Sequence, residues 1–308
     1  MLGACPTAMP PPRLPLAIDT RRVKSFDGTT IAYHATRPPF KGAPAIVLAN
    51  GLGGPYLAWR DQIDFFLDRY RIVTWDYRGL YASERPPDDG PEAFAVERHV
   101  RDLQAILSAE GIERASLVGW SMGVQVVLEA FRRLRGVARN LVLLSGTFGR
   151  PLDTLSPLPG ARVVLPSLVR AARLAHGLAT QVTRRAAGQP ESVAWLKRMG
   201  LIGPTLDDEV FAELVHAFSQ MDMDGYFRNL GALGEHTAED VLESIDVPAL
   251  VITGDRDTFT PPDLARAMTR RIPGAAILVV RGGTHYTAVE FPELVNLRIE
   301  RFFREHGF

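Results

Sequence analysis

From residue 20 onward, short apolar or β-branched runs alternate with longer stretches whose apolar residues recur at helical spacing. Arg21 to Phe26 and Thr29 to Ala35 flank Asp27-Gly28, a dipeptide that predicts a hairpin between two strands. Ala45 to Ala49, Arg71 to Trp75, Ser116 to Gly119, Leu141 to Leu144, Ala249 to Thr253 and Ala276 to Val280 are continuous apolar runs. Such runs suit strands buried on both faces of a parallel sheet. Between them, Val96 to Glu110 places Val96, Val100, Leu103 and Leu107 on one helical face. Val124 to Leu134, Pro262 to Ile272 and Glu290 to Glu305 read as further helices, the second opened by proline. The alternation predicts an α/β fold with a mostly parallel sheet. Residues 150 to 236 break the rhythm. They open with Pro151, Pro157, Pro159 and Gly160 and contain helical patterns without a convincing strand. A structureless loop of that length is improbable, so the segment reads as a helical insertion.

At 308 residues the chain is long enough for one large α/β unit or two smaller ones. Apolar residues at 46% and charged residues at 23% exclude a disordered or coiled-coil chain. Lys+Arg and Asp+Glu are equal at 35 each, which removes any bulk electrostatic drive toward nucleic acid or anionic membrane. The single cysteine, Cys5, can form neither an intrachain disulfide nor a structural zinc site, and a cytoplasmic location is expected. No apolar run reaches the 18 residues of a membrane span. Only four residues precede Cys5, too few for a signal peptide, and Met9-Pro10-Pro11-Pro12 is stiff and extended. Residues 1–18 are therefore expected to be a flexible leader, residues 19–150 and 237–308 an α/β core, and 151–236 a helical cap.

The most specific chemical signal is Gly119-Trp120-Ser121-Met122-Gly123, placed after an apolar strand and before a helix. That context is the one required by a G-x-S-x-G nucleophile elbow. Ser121 would sit on a sharp turn with its hydroxyl over the sheet edge. The Met122 amide at the helix N-terminus would stabilise developing negative charge. The bland alternative is a serine in an ordinary glycine-rich turn.

From these residues onward the chain resembles the α/β-hydrolase superfamily, over roughly residues 20 to 308. The resemblance implies an eight-stranded sheet, helices on both faces, and the chain order nucleophile, acid, histidine. After the strand at Leu250 comes Gly254-Asp255-Arg256-Asp257, followed by Pro261. The family's register points to Asp257 as the acid, with Asp255 as competitor. After the last strand, Gly282-Gly283-Thr284-His285 precedes Glu290 and Pro292. Of the seven histidines only His285 has a strand-loop-helix setting, which implies a general base and then acid. Thr284 stands where the family usually has glycine. The loop Asn50-Gly51-Leu52-Gly53-Gly54-Pro55 replaces the family's usual His-Gly with Asn-Gly. The resemblance assigns the Leu52 amide, with that of Met122, to an oxyanion hole, while Asn50 is free to hold the loop through its side-chain amide. Trp75 to Ser83 resembles the family's D-x-R-G-x-G-x-S block, with Tyr81 in place of the second glycine, and reads as architecture.

Other constellations are weak. His216, Asp222 and Asp224 lack metal spacing, and the arginines from Arg170 to Arg185 read as a wetted helix face. The loop 51–54 lacks the Lys-Ser/Thr of a phosphate-binding loop. The expected function is hydrolysis of a carboxylic ester, lactone or thioester through an acyl-serine, acting on a small molecule with an apolar or medium-size acyl group, without metal or cofactor. Carbon–carbon hydrolysis, perhydrolysis, acyl transfer and a non-catalytic binding role are the competing readings, because a fold does not fix a function. Ser121 at the elbow argues against the Asp-nucleophile epoxide hydrolases and haloalkane dehalogenases.

Overall fold

The computed structural model describes residues 16–88, 90–151, 191–200 and 202–308, with the isolated positions 175, 177, 178, 180, 181 and 185. Cys5, the proline-rich arm, His176 and most of the Arg170 to Arg185 stretch lie outside the described residues. Eight strands form one sheet: β1 (Asp19–Lys24), β2 (Thr30–Ala35), β3 (Ala45–Ala49), β4 (Arg71–Trp75), β5 (Ala115–Trp120), β6 (Ala138–Leu144), β7 (Ala249–Gly254) and β8 (Ala276–Val280), in the order β1-β2-β4-β3-β5-β6-β7-β8. The β1–β2 and β2–β4 pairs are antiparallel and every other pair is parallel. The hairpin expected at Asp27-Gly28 is present, with a longer turn than a two-residue loop. Lys24 pairs with Thr30, the Ser25 N–H bonds the Thr29 carbonyl, and Gly28 takes φ +86° to close the loop.

Helices α1 (Arg60–Phe66), α2 (Val96–Glu110), α3 (Met122–Arg133), α4 (Glu191–Arg198), α5 (Asp208–Ser219), α6 (Met223–Glu235), α7 (Pro262–Arg271), α8 (Thr287–Glu290) and α9 (Pro292–Glu305) follow in chain order. α1 spans just under two turns, too few for its apolar positions to single it out as a helix in the sequence. The C-terminal helix starts at Pro292 rather than Glu290, because proline fits the first turn and Glu290 ends the separate short helix α8.

Alternation along the central strands divides the core. Val47, Leu117, Leu141 and Leu143 face α2, α3 and α7, where Leu103, Val127 and Met268 meet them. Ile46, Leu48, Val118 and Val142 face α1 and α9, where Phe66, Phe302 and Phe303 meet them. Burial on both faces explains why these strands read as unbroken apolar runs. At the sheet edge β8 is only partly covered, and Ile277 is exposed. Leu16 and Ile18, within the stretch expected to be a flexible leader, pack against the second core.

α4, α5 and α6 lie between β6 and β7 in the chain, as the helical patterns anticipate. Asp207 and Asp222 cap the last two by accepting from backbone N–H groups of their first turns. α6 presses onto the loop after β4: a Cβ on Gly225 would lie 2.3 Å from the Gly79 carbonyl oxygen.

That loop is held by Arg78, whose side chain is fully buried. Its guanidinium donates to both oxygens of buried Asp102 at 2.9 and 2.6 Å, to Asp27 at 2.9 Å and to the Ala93 carbonyl at 2.8 Å. One side chain thus ties the β1–β2 hairpin, α2 and the post-β4 loop together. Removing one partner of a buried pair strands the other charge. Arg78→Met is expected to lower unfolding free energy by about 3–5 kcal/mol, measured by urea denaturation. A change within a few tenths of a kcal/mol would contradict the account.

Candidate active site

β5 ends at Trp120 and α3 begins at Met122, leaving Ser121 between them at φ 56°, ψ −115°. That conformation is unfavourable for a serine, and it persists only because the surroundings enforce it. A Cβ on Gly119 would lie 2.3 Å from the Gly123 carbonyl oxygen, and one on Gly123 would lie 2.1 Å from the Ala49 carbonyl oxygen. Both flanking positions of the pentapeptide must therefore lack a side chain. Gly146, outside the motif, has the same constraint: its Cβ would meet Val124 Cγ2 at 2.3 Å. The Ser121 N–H donates to the Leu144 carbonyl at 3.0 Å, which anchors the turn to β6.

His285 follows β8 and approaches this serine. Its Nε2 is 2.9 Å from Ser121 Oγ, and its Nδ1 is 3.0 and 3.2 Å from the two Asp257 oxygens. The Asp257 side chain is fully buried. Its Oδ1 accepts from the Phe259 N–H at 2.9 Å and the Thr260 N–H at 2.8 Å, and its Oδ2 accepts from Thr260 Oγ1 at 2.8 Å. These donors hold the carboxylate facing the imidazole. Asp255, the competitor in the sequence, is exposed and accepts from the Gly282 N–H at 2.7 Å, bracing the loop that leads to His285. The loops after β7 and β8 touch closely, since a Cβ on Gly254 would sit 2.1 Å from the Gly283 carbonyl oxygen. Trp120 Nε1 donates to the His285 carbonyl at 3.0 Å.

Two of these supports are not evident from the sequence. Thr260 reads as part of a turn, and its role as an Asp257 donor depends on the folded loop. Glu290 is buried: Oε1 accepts from the Gly203 N–H at 2.6 Å and Thr284 Oγ1 at 2.5 Å, and Oε2 accepts from the Thr284 N–H at 2.7 Å. Thr284, where the family usually has glycine, thus joins the His285 loop to Glu290, and Glu290 joins both to the segment before α5.

The loop after β3 turns at Gly51-Leu52-Gly53-Gly54. The Gly54 N–H closes it onto the Gly51 carbonyl at 2.9 Å, with Gly53 at φ 72°. Asn50 anchors its start, donating from Nδ2 to the Trp75 carbonyl at 2.8 Å and accepting at Oδ1 from Trp59 Nε1 at 2.6 Å and Thr74 Oγ1 at 3.1 Å. The side-chain amide holds the loop as its chemistry suggested. Leu52 and Met122 both line the cavity over Ser121, and neither backbone N–H has a hydrogen-bond partner among the described residues.

That cavity has a volume of about 520 Å³, within the usual range of a small-molecule site. Ser121 and His285 lie in its wall, and α4 to α6 contribute Leu196, Phe211, Leu214, Phe218, Tyr226 and Leu233. No Lys, Arg, Asp or Glu is among its described lining residues. Burial pushes the Tyr286 phenol up to about 12, so this lining group is neutral at physiological pH.

A model of the alpha/beta hydrolase fold family matches residues 44–292. The chain belongs to the alpha/beta hydrolase family. A relative named "Putative carbamate hydrolase RutD" from Escherichia coli O1:K1 / APEC is 26% identical over 259 residues, 84% of this chain and 91% of that protein. A bromoperoxidase from Bacillus anthracis superposes with a TM-score of 0.74 at 17% identity, over 93% of this chain and 100% of the other. A thermophilic esterase from Thermogutta terrifontis superposes with a TM-score of 0.67 at 22% identity, over 94% of this chain and 99% of the other. These two structural likenesses are to the fold.

In this alpha/beta hydrolase the other described histidines have separate surroundings. His34 bonds Thr20 and Asp76, and His236 bonds Gln125 at 2.7 Å and Glu129 at 3.4 Å. His99 is fully buried against Tyr77, and burial pulls it down to about 3, which keeps it neutral. Glu97, Glu129 and His236 come close enough to share an ion, but Arg132 and Arg133 pair with these carboxylates and make an ion-pair network. Asp222 and Asp224 pair with Arg85. No described helix is long and apolar enough to cross a membrane.

Glu290→Gln places an amide nitrogen among groups that all donate to the carboxylate. It is expected to destabilise the chain by about 1–3 kcal/mol, the cost of an unsatisfied buried donor. Thermal unfolding measures this, and hydrogen exchange at Thr284 and Gly203 should accelerate with it. An unchanged melting temperature and unchanged exchange would contradict the assigned bonds.

Proposed function

We propose that this alpha/beta hydrolase cleaves a carboxylic ester, lactone or thioester with an apolar or medium-size acyl group, by way of an acyl-serine. The observation that carries the reading is the hydrogen-bonded series from Ser121 Oγ through His285 to buried Asp257, opening into an apolar cavity. His285 takes the Ser121 proton as Oγ attacks the carbonyl carbon, and Asp257 holds the imidazole tautomer and stabilises the imidazolium. The Leu52 and Met122 N–H groups receive the oxyanion, the α3 N-terminus adding its positive end. The imidazolium then protonates the leaving oxygen or sulfur. Water, deprotonated by His285, attacks the acyl-serine and releases the acid. Residues 151–236 serve as the cap, with α4 to α6 forming the apolar wall.

The 26% identical relative is named for carbamate hydrolysis. The cavity lining without charged side chains supports a neutral substrate for this chain. A location in the cytoplasm and action without metal or cofactor complete the proposal.

Kinetics with a series of p-nitrophenyl acyl esters test it. The kcat/KM should rise roughly fourfold per added methylene, equivalent to about 0.8 kcal/mol each, until the cavity is filled. Ser121→Ala should abolish turnover. Asp257→Asn should cost roughly 10⁴ in kcat by forcing the wrong imidazole tautomer, while Asp255→Asn retains most of the activity. No turnover of any chain length, or equal losses for the two aspartates, would contradict the proposal.

A further inference from the structure

Tyr81 stands where the family's D-x-R-G-x-G-x-S block has its second glycine, yet its backbone keeps a glycine-like conformation at φ 50°. Among the described residues only Ser121 and Ser145 share a positive φ without being glycine. A bulky aromatic in that region carries strain, and strain of this kind gathers at functional sites. The surroundings define what the residue does there.

The Tyr81 hydroxyl donates to the carbonyl oxygen of Gly53 at 2.5 Å. Gly53 belongs to the turn that carries the Leu52 N–H. That turn contains three glycines, so its own backbone preferences hold it weakly. Asn50 fixes the turn at its start through Trp75, Trp59 and Thr74. Tyr81 grips it at its middle. Gly53 also meets α5, where a Cβ would lie 2.7 Å from Phe218 Cε2. The base from which Tyr81 projects is itself rigid. The Ala82 N–H donates to Asp76 Oδ2 at 3.1 Å, Ser83 Oγ donates to the Asp76 carbonyl at 2.7 Å, and Gly79 and Glu84 close the loop by a backbone bond of 2.9 Å. Burial raises the Tyr81 phenol above its ordinary value, so the hydroxyl keeps its proton over any working pH.

We propose that Tyr81 is a positioning residue of this hydrolase: its hydroxyl holds the Gly53 carbonyl and thereby fixes the turn that presents the Leu52 N–H to the oxyanion. The inference rests on the reading of Leu52 and Met122 as the oxyanion donors. It makes the departure from the family's glycine a functional substitution, in which backbone strain is accepted for a tether that glycine cannot supply. The side chain acts through the loop and touches no reacting atom.

The test is Tyr81→Phe in the full chain, which removes one oxygen and leaves the ring. Hydrolysis of a p-nitrophenyl ester should lose about 10-fold in kcat, a fraction of the roughly 10²–10³-fold cost of deleting an oxyanion donor outright, with KM within about twofold. An alkyl trifluoromethyl ketone forms a tetrahedral adduct on a nucleophilic serine and places its oxyanion between the donors. Its inhibition constant should weaken by the same factor as kcat/KM, which general loosening of the fold would not produce. Tyr81→Gly relieves the backbone and also lacks the hydroxyl, so it should lose at least as much kcat. Parental kcat and inhibition constant in Tyr81→Phe would overturn the inference, as would parental kcat in Tyr81→Gly or a rise in KM alone. A parent protein without ester turnover would overturn the underlying reading of the site, and this inference with it.

Discussion

The geometry of the site depends on one close approach, that of the first turn of α3 to the end of β3. A methyl group on Gly123 would lie 2.1 Å from the Ala49 carbonyl oxygen and 3.0 Å from that of Asn50. The missing side chain therefore sets how near α3 comes to the strand that leads into the Asn50–Pro55 loop. Met122 begins the helix and Leu52 sits on the loop, so this contact also sets the spacing of the two proposed oxyanion donors. Gly119, packed against the Gly123 carbonyl, forces the chain to reverse over a single residue. Ser121 takes a positive φ because its neighbours leave no other path.

Around that point the fold separates two tasks. The parallel strands end together at one edge of the sheet, and the loops after β3, β5, β7 and β8 deliver Leu52, Ser121, Asp257 and His285 there. Each delivered group is restrained by bonds unrelated to chemistry. Thr260 and the Phe259 N–H hold Asp257, Glu290 holds the strand-to-histidine loop through Thr284, and Asn50 holds the glycine turn. The second task is to surround these polar groups with apolar surface, supplied in part by α4 to α6. Charge that develops on a reacting carbonyl in such a cavity interacts with fixed dipoles rather than with mobile water, which is where pre-aligned N–H groups are most effective.

Much of this was legible in the chain itself. Apolar runs predict six of the strands, most of them buried on both faces, and the Asp27-Gly28 turn signal predicts β1 and β2. Gly119, Ser121 and Gly123 are legible because steric exclusion leaves no other residue type at the glycines. The choice between Asp257 and Asp255 rests in the sequence on register alone; in three dimensions one is buried against His285 and the other is exposed beside Gly282. What sequence could not supply is long-range. α1 is shorter than two full turns, so its period is invisible. The bond from Gly203 to Glu290 spans 87 residues, and that from Tyr81 to Gly53 spans 28, and neither spacing has a local signature.

Ser121 is proposed to be a nucleophile activated by its position rather than a serine in a tight turn. Reaction of the folded protein with a fluorophosphonate, followed by peptide mass spectrometry, tests it most directly. The account predicts one phosphonyl adduct, on Ser121, abolished by prior denaturation and slowed strongly in His285→Ala. Absence of an adduct on Ser121, or equal labelling of folded and denatured protein, would contradict it.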